Sequence, residues 1–440
     1  MKNRRFQFAI VSASTCLLVV LMLGMVLGRG NAAEDAYRHF AVFAEVISRI
    51  KSDYVEEPDM KNVTLGALNG MLEAIDPYAS YLSPEQYKAY LKSKETSKAG
   101  VGLILARRIG YVGVVDSIPG SPAAILGLST GDVLETINNV STRDMPLAYA
   151  EMLLAGDPGT KVDMTVLRWR RGTDAQQISL VRAPIQYPPA SAKMLPGEFG
   201  YLQLASLEKG KVKEAAAGLR DLAKQGAKKL VLDLRGNASG APEEGIALAD
   251  LFLDKGLITY LLGQKVSREE SQASAETTLW KLPMVVITNR GTAGGAEVAA
   301  AALLDNKRAE VVGERTYGNA ALRKALTLED GAAVILSTAK FYSPAGKAIQ
   351  DNAVTPSAPV AEAEPSEDDE DAPPILAPPE PKPDQDKTLQ KAIEVLTIGL
   401  EASAAEDNKR AEQAAQQQEN ERRERIQRSP PLVGPPPPKQ

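Results

Sequence analysis

Leu230-Val231-Leu232-Asp233-Leu234-Arg235-Gly236-Asn237-Ala238-Ser239-Gly240 is an apolar run, interrupted by Asp233, that ends on a charge and a turn of small residues. Its first five residues read as a core strand. Just upstream, residues 212–225 have the period of an amphipathic helix. Downstream, residues 246–252 read as helix, 282–288 as a buried strand and 297–304 as an Ala-rich helix. Residues 311–312 and 332–341 read as further strands. Strand and helix therefore alternate from about Phe199 to Ala358, which predicts an α/β layered domain.

Further out the pattern changes on both sides. From about Gly100 to Pro184 the chain reads as short strands and turns, with strands at 112–118, 132–137 and 161–168 and one helix at 146–155. That is the size of a small independent module. From about Ala36 to Ser97 the pattern is helical, with Phe43, Val46, Ile47 and Ile50 at helical spacing and Pro58, Pro77 and Pro84 as punctuation. Residues 361–383 are acidic and Pro-rich and read as a disordered linker. A short amphipathic helix follows at 389–400. Residues 408–428 are a polar, charged run, and the Pro-rich end at 430–438 reads as a flexible tail or a polyproline ligand.

Composition removes several function classes. The chain has 440 residues, enough for two to four domains at about 150 residues each. Its net charge of −5 lacks the basic excess that phosphate neutralisation needs, so nucleic-acid binding is not expected. Cys16 is the single cysteine, which rules out an intramolecular disulfide and a Cys-based metal site. His39 is the single histidine, so no clustered-His metal site exists and a His-based triad has one candidate. No cofactor and no metal is expected. Lys2, Arg4 and Arg5 precede an uncharged stretch, residues 6–28, whose length of about 23 residues suffices to span a bilayer. We read it as an uncleaved anchor with its N-terminus in the cytoplasm, the alternative being a signal peptide cleaved near Gly30-Asn31-Ala32.

Four segments, in order, carry a family likeness. They are Thr64-Leu65-Gly66-Ala67-Leu68-Asn69-Gly70-Met71-Leu72 with Asp76-Pro77; Ile118-Pro119-Gly120-Ser121-Pro122-Ala123-Ala124 with Gly127-Leu128 and Gly131-Asp132; the turn after Leu232; and Val312-Gly313-Glu314-Arg315-Thr316-Tyr317-Gly318 with Tyr342-Ser343-Pro344-Ala345-Gly346-Lys347-Ala348-Ile349-Gln350. Together they resemble the carboxyl-terminal processing (tail-specific) serine peptidases. The resemblance covers about residues 36–400. It implies an α/β catalytic-type core, layered as in the crotonase/Clp-like spiral, with an inserted mostly-β PDZ domain and an N-terminal helical segment. The expected division is 1–32 anchor, 33–97 helical region, 98–185 PDZ domain, 186–360 peptidase-like core, 361–386 linker, and 387–440 helix and tail.

Members of this family use a serine–lysine pair oriented by a glutamine, with the serine near a helix start. The family's Ser-Ala-Ser-Ala-Ser-Glu aligns with Thr292-Ala293-Gly294-Gly295-Ala296-Glu297, so Ala296 stands at the nucleophile position. The family lysine aligns with Asn319 and the glutamine with Arg323. Neither an amide nor a guanidinium can serve as the base. Ser239 replaces a glycine of the oxyanion turn that includes Gly240. No serine occurs between Pro283 and Leu336. A substitute pair would have to come from Thr292, expected in the loop before the helix, and Lys324, expected to face away from Arg323; Lys307 reads as a solvated loop residue. The small residues Gly294-Gly295-Ala296 also have a plain role, letting the helix start pack closely on a neighbouring strand. Asp233 and Arg235 read as a charge pair at the end of a core strand.

The PDZ-like module keeps its expected binding elements. Gly100-Val101-Gly102-Leu103 matches the family's carboxylate-binding loop, and Val101, Leu103, Ala148, Met152 and Leu153 are expected to line a pocket for a peptide's last side chain, the alternative for Val101 and Leu103 being to fill the core. The resemblance therefore implies a protein facing the bacterial periplasm from an inner-membrane anchor, proteolytically inactive. It would bind the C-terminal tails of envelope proteins as an adaptor or regulator, with an active paralogous peptidase as a further partner. The alternative is an active serine-type endopeptidase with non-standard catalytic residues.

Overall fold

The computed structural model describes residues 40–108, 110–168, 175–361, 385–403, 405 and 409. The expected anchor, His39, nearly all of the acidic linker and the Pro-rich tail lie outside the described residues. Among the described residues no helix is long and apolar enough to cross a membrane. Two units are distinguished, Met1–Leu68 and Asn69–Gln440. In the first, residues 40–53 are helical.

The quoted apolar run lies at the centre of the second unit. Lys229–Asp233 is a strand flanked on both edges by parallel partners, Phe199–Gln203 and Met284–Thr288. The sheet continues through Glu310–Gly313 to Ala358–Pro359, and Ser191–Leu195 closes its other edge antiparallel. Successive side chains point to opposite faces. Leu230 and Leu232 enter a core shared with the helices Lys211–Lys224, Pro242–Asp250 and Gly295–Asp305. Val231 joins Val285, Ile287 and Val312 on the other face, beneath Leu389, Ala392 and Val395 of the helix Lys387–Ile398. Both faces are covered, which is why the strands read as apolar runs rather than alternating patterns. Each buried Val or Leu contributes on the order of 1.5–3 kcal/mol.

A second, antiparallel sheet is organised around Ala333–Tyr342, which pairs with Ala321–Thr327, Ser80–Leu82 and Leu257–Leu262. The sequence reading missed most of these partners. Ser80–Leu82 corrects the expectation of a purely helical N-terminal region: after Asp76-Pro77 the chain extends and adds a short strand at Ser80↔Ile335. The break is physical, because the residue before a proline disfavours helical backbone. Similarly, the helix expected at 246–252 starts earlier, at Pro242, whose fixed φ suits a first helical turn.

The mostly-β module is an antiparallel sheet in the order Leu103–Arg108, Tyr111–Ser117, Val133–Ile137, Lys161–Leu167, Ala175–Val181. The helix Leu147–Leu154 packs against it. Leu103–Arg108 is an edge strand. The layered α/β core, the inserted PDZ-like module and the N-terminal helices agree with the fold expected from the sequence.

Candidate functional site

The helix Gly295–Asp305 begins where the core strand Met284–Thr288 turns outward. Ala296 is its second residue and is fully buried. The small residues at this start serve a close approach, but to a helix rather than to the expected strand. A Cβ on Gly245 of the helix Pro242–Asp250 would lie 2.0 Å from the carbonyl oxygen of Gly295. Two helices with glycines at the crossing leave no space for a side chain there.

Glu297, the next residue, ties the helix start to the loop that carries Asn319. One carboxylate oxygen accepts from the Thr316 hydroxyl and from the Gly318 amide at 2.6 Å. The other accepts from the Gly294 and Asn319 amides at 3.0 and 2.7 Å. Burial pushes this carboxyl up to about 7, against the pull of those donors. The turn Ser239-Gly240 lies on the same side: a Cβ on Gly294 would come within 3.6 Å of the Asn319 carbonyl and 3.9 Å of the Gly240 carbonyl. Gly240 has φ +111°, and a Cβ there would meet the Leu207 carbonyl at 2.0 Å, so this position admits only glycine. The Ser239 carbonyl accepts from the Leu207 amide at 2.8 Å.

Arg323 completes the cluster. Its guanidinium donates to Asn319 Oδ1 and lies 4.1 Å over the ring of Tyr78. Its Nε is buried and has no hydrogen-bond partner among the described residues. Burial lowers the pKa of this guanidinium, with Tyr78 and Asp76 opposing. Ala296, Asn319, Arg323 and Gly240 are thus brought together. The remaining hydroxyl and lysine candidates are not. Thr292 is buried in the loop and its hydroxyl donates to the Leu234 carbonyl at 2.8 Å. Lys324 and Lys307 are exposed. Asp233 and Arg235 form the expected charge pair, with Arg235 also clamped by Asp386 at 2.7 Å.

In the module, Gly100 exchanges two 3.0 Å backbone bonds with Ala183. The carbonyls of Val101 and Gly102 accept from Ala123 and Ile118, at 2.9 and 2.8 Å. The amides of Val101 and Gly102 donate to no acceptor among the described residues. The loop is therefore fixed through its carbonyls. Gly102 holds φ +79°, and a Cβ there would strike Ser121 at 2.2 Å. Val101 is buried in the core of the module, and Met152 packs against the cluster of Leu82, Tyr90 and Ala148.

Leu103 and Ala148 instead face a cleft of about 540 Å³ between the edge strand and the helix Leu147–Leu154. Its third wall is the helix Pro84–Thr96, missed as a functional element by the sequence reading. Ser83 and Gln86 form a reciprocal cap at its start, with Pro84 as the first helical residue. Tyr87, Tyr90, Leu91 and Lys94 then share one face and line the cleft. That spacing of three and four was the available signal. Asn319 and Arg323 form the remaining side. Asn319 and Arg323 thus line the same cleft as the edge strand and helix of the module, whereas Ala296 is buried in the α/β core.

The comparisons agree with this architecture. The family model of peptidase family S41 matches residues 198–360, and that of the PDZ domain matches residues 113–168. The chain is 32% identical over 348 residues to the carboxy-terminal processing protease CtpA of Bacillus subtilis, covering 79% of this chain and 74% of that one. It is 33% identical over 304 residues to the carboxyl-terminal-processing protease of Synechocystis sp., covering 67% and 70%. The solved structure of the photosystem II D1 C-terminal processing protease superposes with a TM-score of 0.61 at 26% identity, covering 73% of this chain and 92% of that one. The chain belongs to the carboxy-terminal processing proteases of peptidase family S41, with a PDZ domain.

Proposed function

We propose that this chain is a member of the family that does not cleave peptide bonds and instead binds protein C-terminal tails through its PDZ groove. The observation that carries the reading is the buried methyl group of Ala296 in the first turn of the helix Gly295–Asp305, where the family alignment expects the nucleophile. A methyl group cannot attack a carbonyl. Asn319 and Arg323, aligned with the base and its orienter, offer an amide and a guanidinium bonded to each other. Lys324 and Lys307 are exposed, and the amines of Lys211, Lys224 and Lys340 donate to carboxylates.

Binding, in contrast, has its parts in place. An edge strand can accept an extended peptide, and the Val101 and Gly102 amides can receive its terminal carboxylate. The charged N-terminal flank and the apolar run at 6–28 support an inner-membrane anchor with the folded part in the periplasm. There the tails of envelope proteins, and an active paralogous peptidase, would be the partners of an adaptor or regulator.

The test runs casein cleavage and peptide binding in parallel on the full chain. No cleavage at high protein concentration, with binding of a peptide that ends in a free carboxylate and loss of binding when that end is amidated, is the expected result. Cleavage, or equal binding of free and amidated ends, overturns it. Family membership favours a second reading, slow endopeptidase action through Thr292. Its hydroxyl is already committed to Leu234, and cleavage abolished by Thr292→Val would be required to sustain it.

A further inference from the structure

Among the described residues the cleft contains two cations that take part in no ion pair. Arg323 is held from one side by Asn319 Oδ1 and across its face by the Tyr78 ring, which fixes its direction. Its Nε–H remains buried and unpartnered. The rest of the guanidinium lies in the cleft wall with no carboxylate bonded to it among the described residues, a charge that an acidic group entering the cleft would meet. Lys94 extends from the helix Pro84–Thr96, with its amine 4.7 Å over the Tyr90 ring. The carboxylates nearby do not use up these charges. Asp76 lies behind Tyr78 with its oxygens committed to the Tyr78 and Ser337 amides at 3.0 and 2.8 Å and to the Gln350 amide at 3.4 Å. Glu151 is the single acidic residue in the cleft wall and is attracted to both Lys94 and Arg323, which leaves one positive charge in excess.

We propose that the cleft selects peptide tails with an acidic side chain upstream of the terminal residue, whose carboxylate pairs with the guanidinium of Arg323. The inference rests on the peptide-binding reading above and adds the class of sequence bound. Under the reading above the terminal carboxylate goes to the Val101 and Gly102 amides, just before Leu103 of the cleft wall, and the internal one to the Arg323 guanidinium. A charge-assisted bond to a preorganised guanidinium discriminates strongly against the neutral amide.

The test titrates the full chain with labelled ten-residue peptides that share an apolar C-terminus. Aspartate or glutamate is placed at each internal position in turn, against asparagine or glutamine twins. At one position the acidic peptide should bind about tenfold tighter than its amide twin, or ~1.4 kcal/mol. In Arg323→Gln the acidic peptide should fall to the affinity of that twin, and thermal unfolding should show the variant folded. Equal binding of acid and amide at every position overturns the inference alone. A preference that survives in Arg323→Gln also overturns it. If no peptide binds at all, the groove reading fails and takes this inference with it.

Discussion

Glu297 and Ala296 are neighbours with opposite consequences. Glu297 has four donors on its two oxygens, and burial raises its carboxyl from the ordinary 4.5 to about 7. Between those values the folded chain keeps a proton that the unfolded chain has released. Its contribution to stability is therefore fully present below about 4.5 and is lost as the pH rises through about 7. The melting temperature should fall across that window, with a slope of at most ~1.4 kcal/mol per pH unit from this group. Glu297→Gln should flatten that slope, and an unchanged slope would remove the assignment. At Ala296 the expectation concerns chemistry. Ala296→Ser alone should leave casein intact, because the base is still absent. Adding Asn319→Lys and Arg323→Gln should raise cleavage by roughly 10²–10⁴ over the single variant, the usual contribution of a general base. Robust cleavage by the single variant would show that Asn319 does not hold the base position.

At the scale of elements, the last helix is fastened to the sheet through a charge. Asp386 caps Lys387–Ile398 by accepting from the Leu389 amide at 2.9 Å, and its oxygens bind Arg235 at 3.1 and 2.7 Å. Arg235 in turn reaches Asp233, which is fully buried. Removing one member of such a buried set leaves an uncompensated charge. Asp386→Ala should therefore cost about 3–5 kcal/mol in denaturant unfolding. The surface pair Arg49–Asp53, with both side chains more than half exposed, sets the contrast: Asp53→Ala should stay within about 0.5 kcal/mol. Similar losses at the two sites would mean that Asp386 has no fastening role.

For the molecule as a whole, the consequence is that the cleft has walls from distant parts of the chain. They come from the helix Pro84–Thr96, the edge strand and helix of the module, and the strand Ala321–Thr327. A bound tail should slow amide hydrogen exchange in all of them together. Protection confined to the module would show that Arg323 and Asn319 are not part of the binding surface.

The alternating α/β core and the inserted module were legible in the sequence alone, because apolar periodicity and motif order are local properties of the chain. The sequence reading missed Ser80–Leu82, a three-residue strand whose pairing is set by its partner Ala333–Tyr342, and Leu257–Leu262, although Ile258, Thr259 and Tyr260 carry strand propensity. It left Val101 open between pocket and core and put Met152 in the pocket; packing assigned Val101 to the core and Met152 to an apolar cluster outside the cleft lining. Only the folded chain shows that Arg323 lines the cleft beside the edge strand of the module. Residues far apart in sequence meet there, and the partners of a buried polar atom are set by the fold, not by its neighbours along the chain.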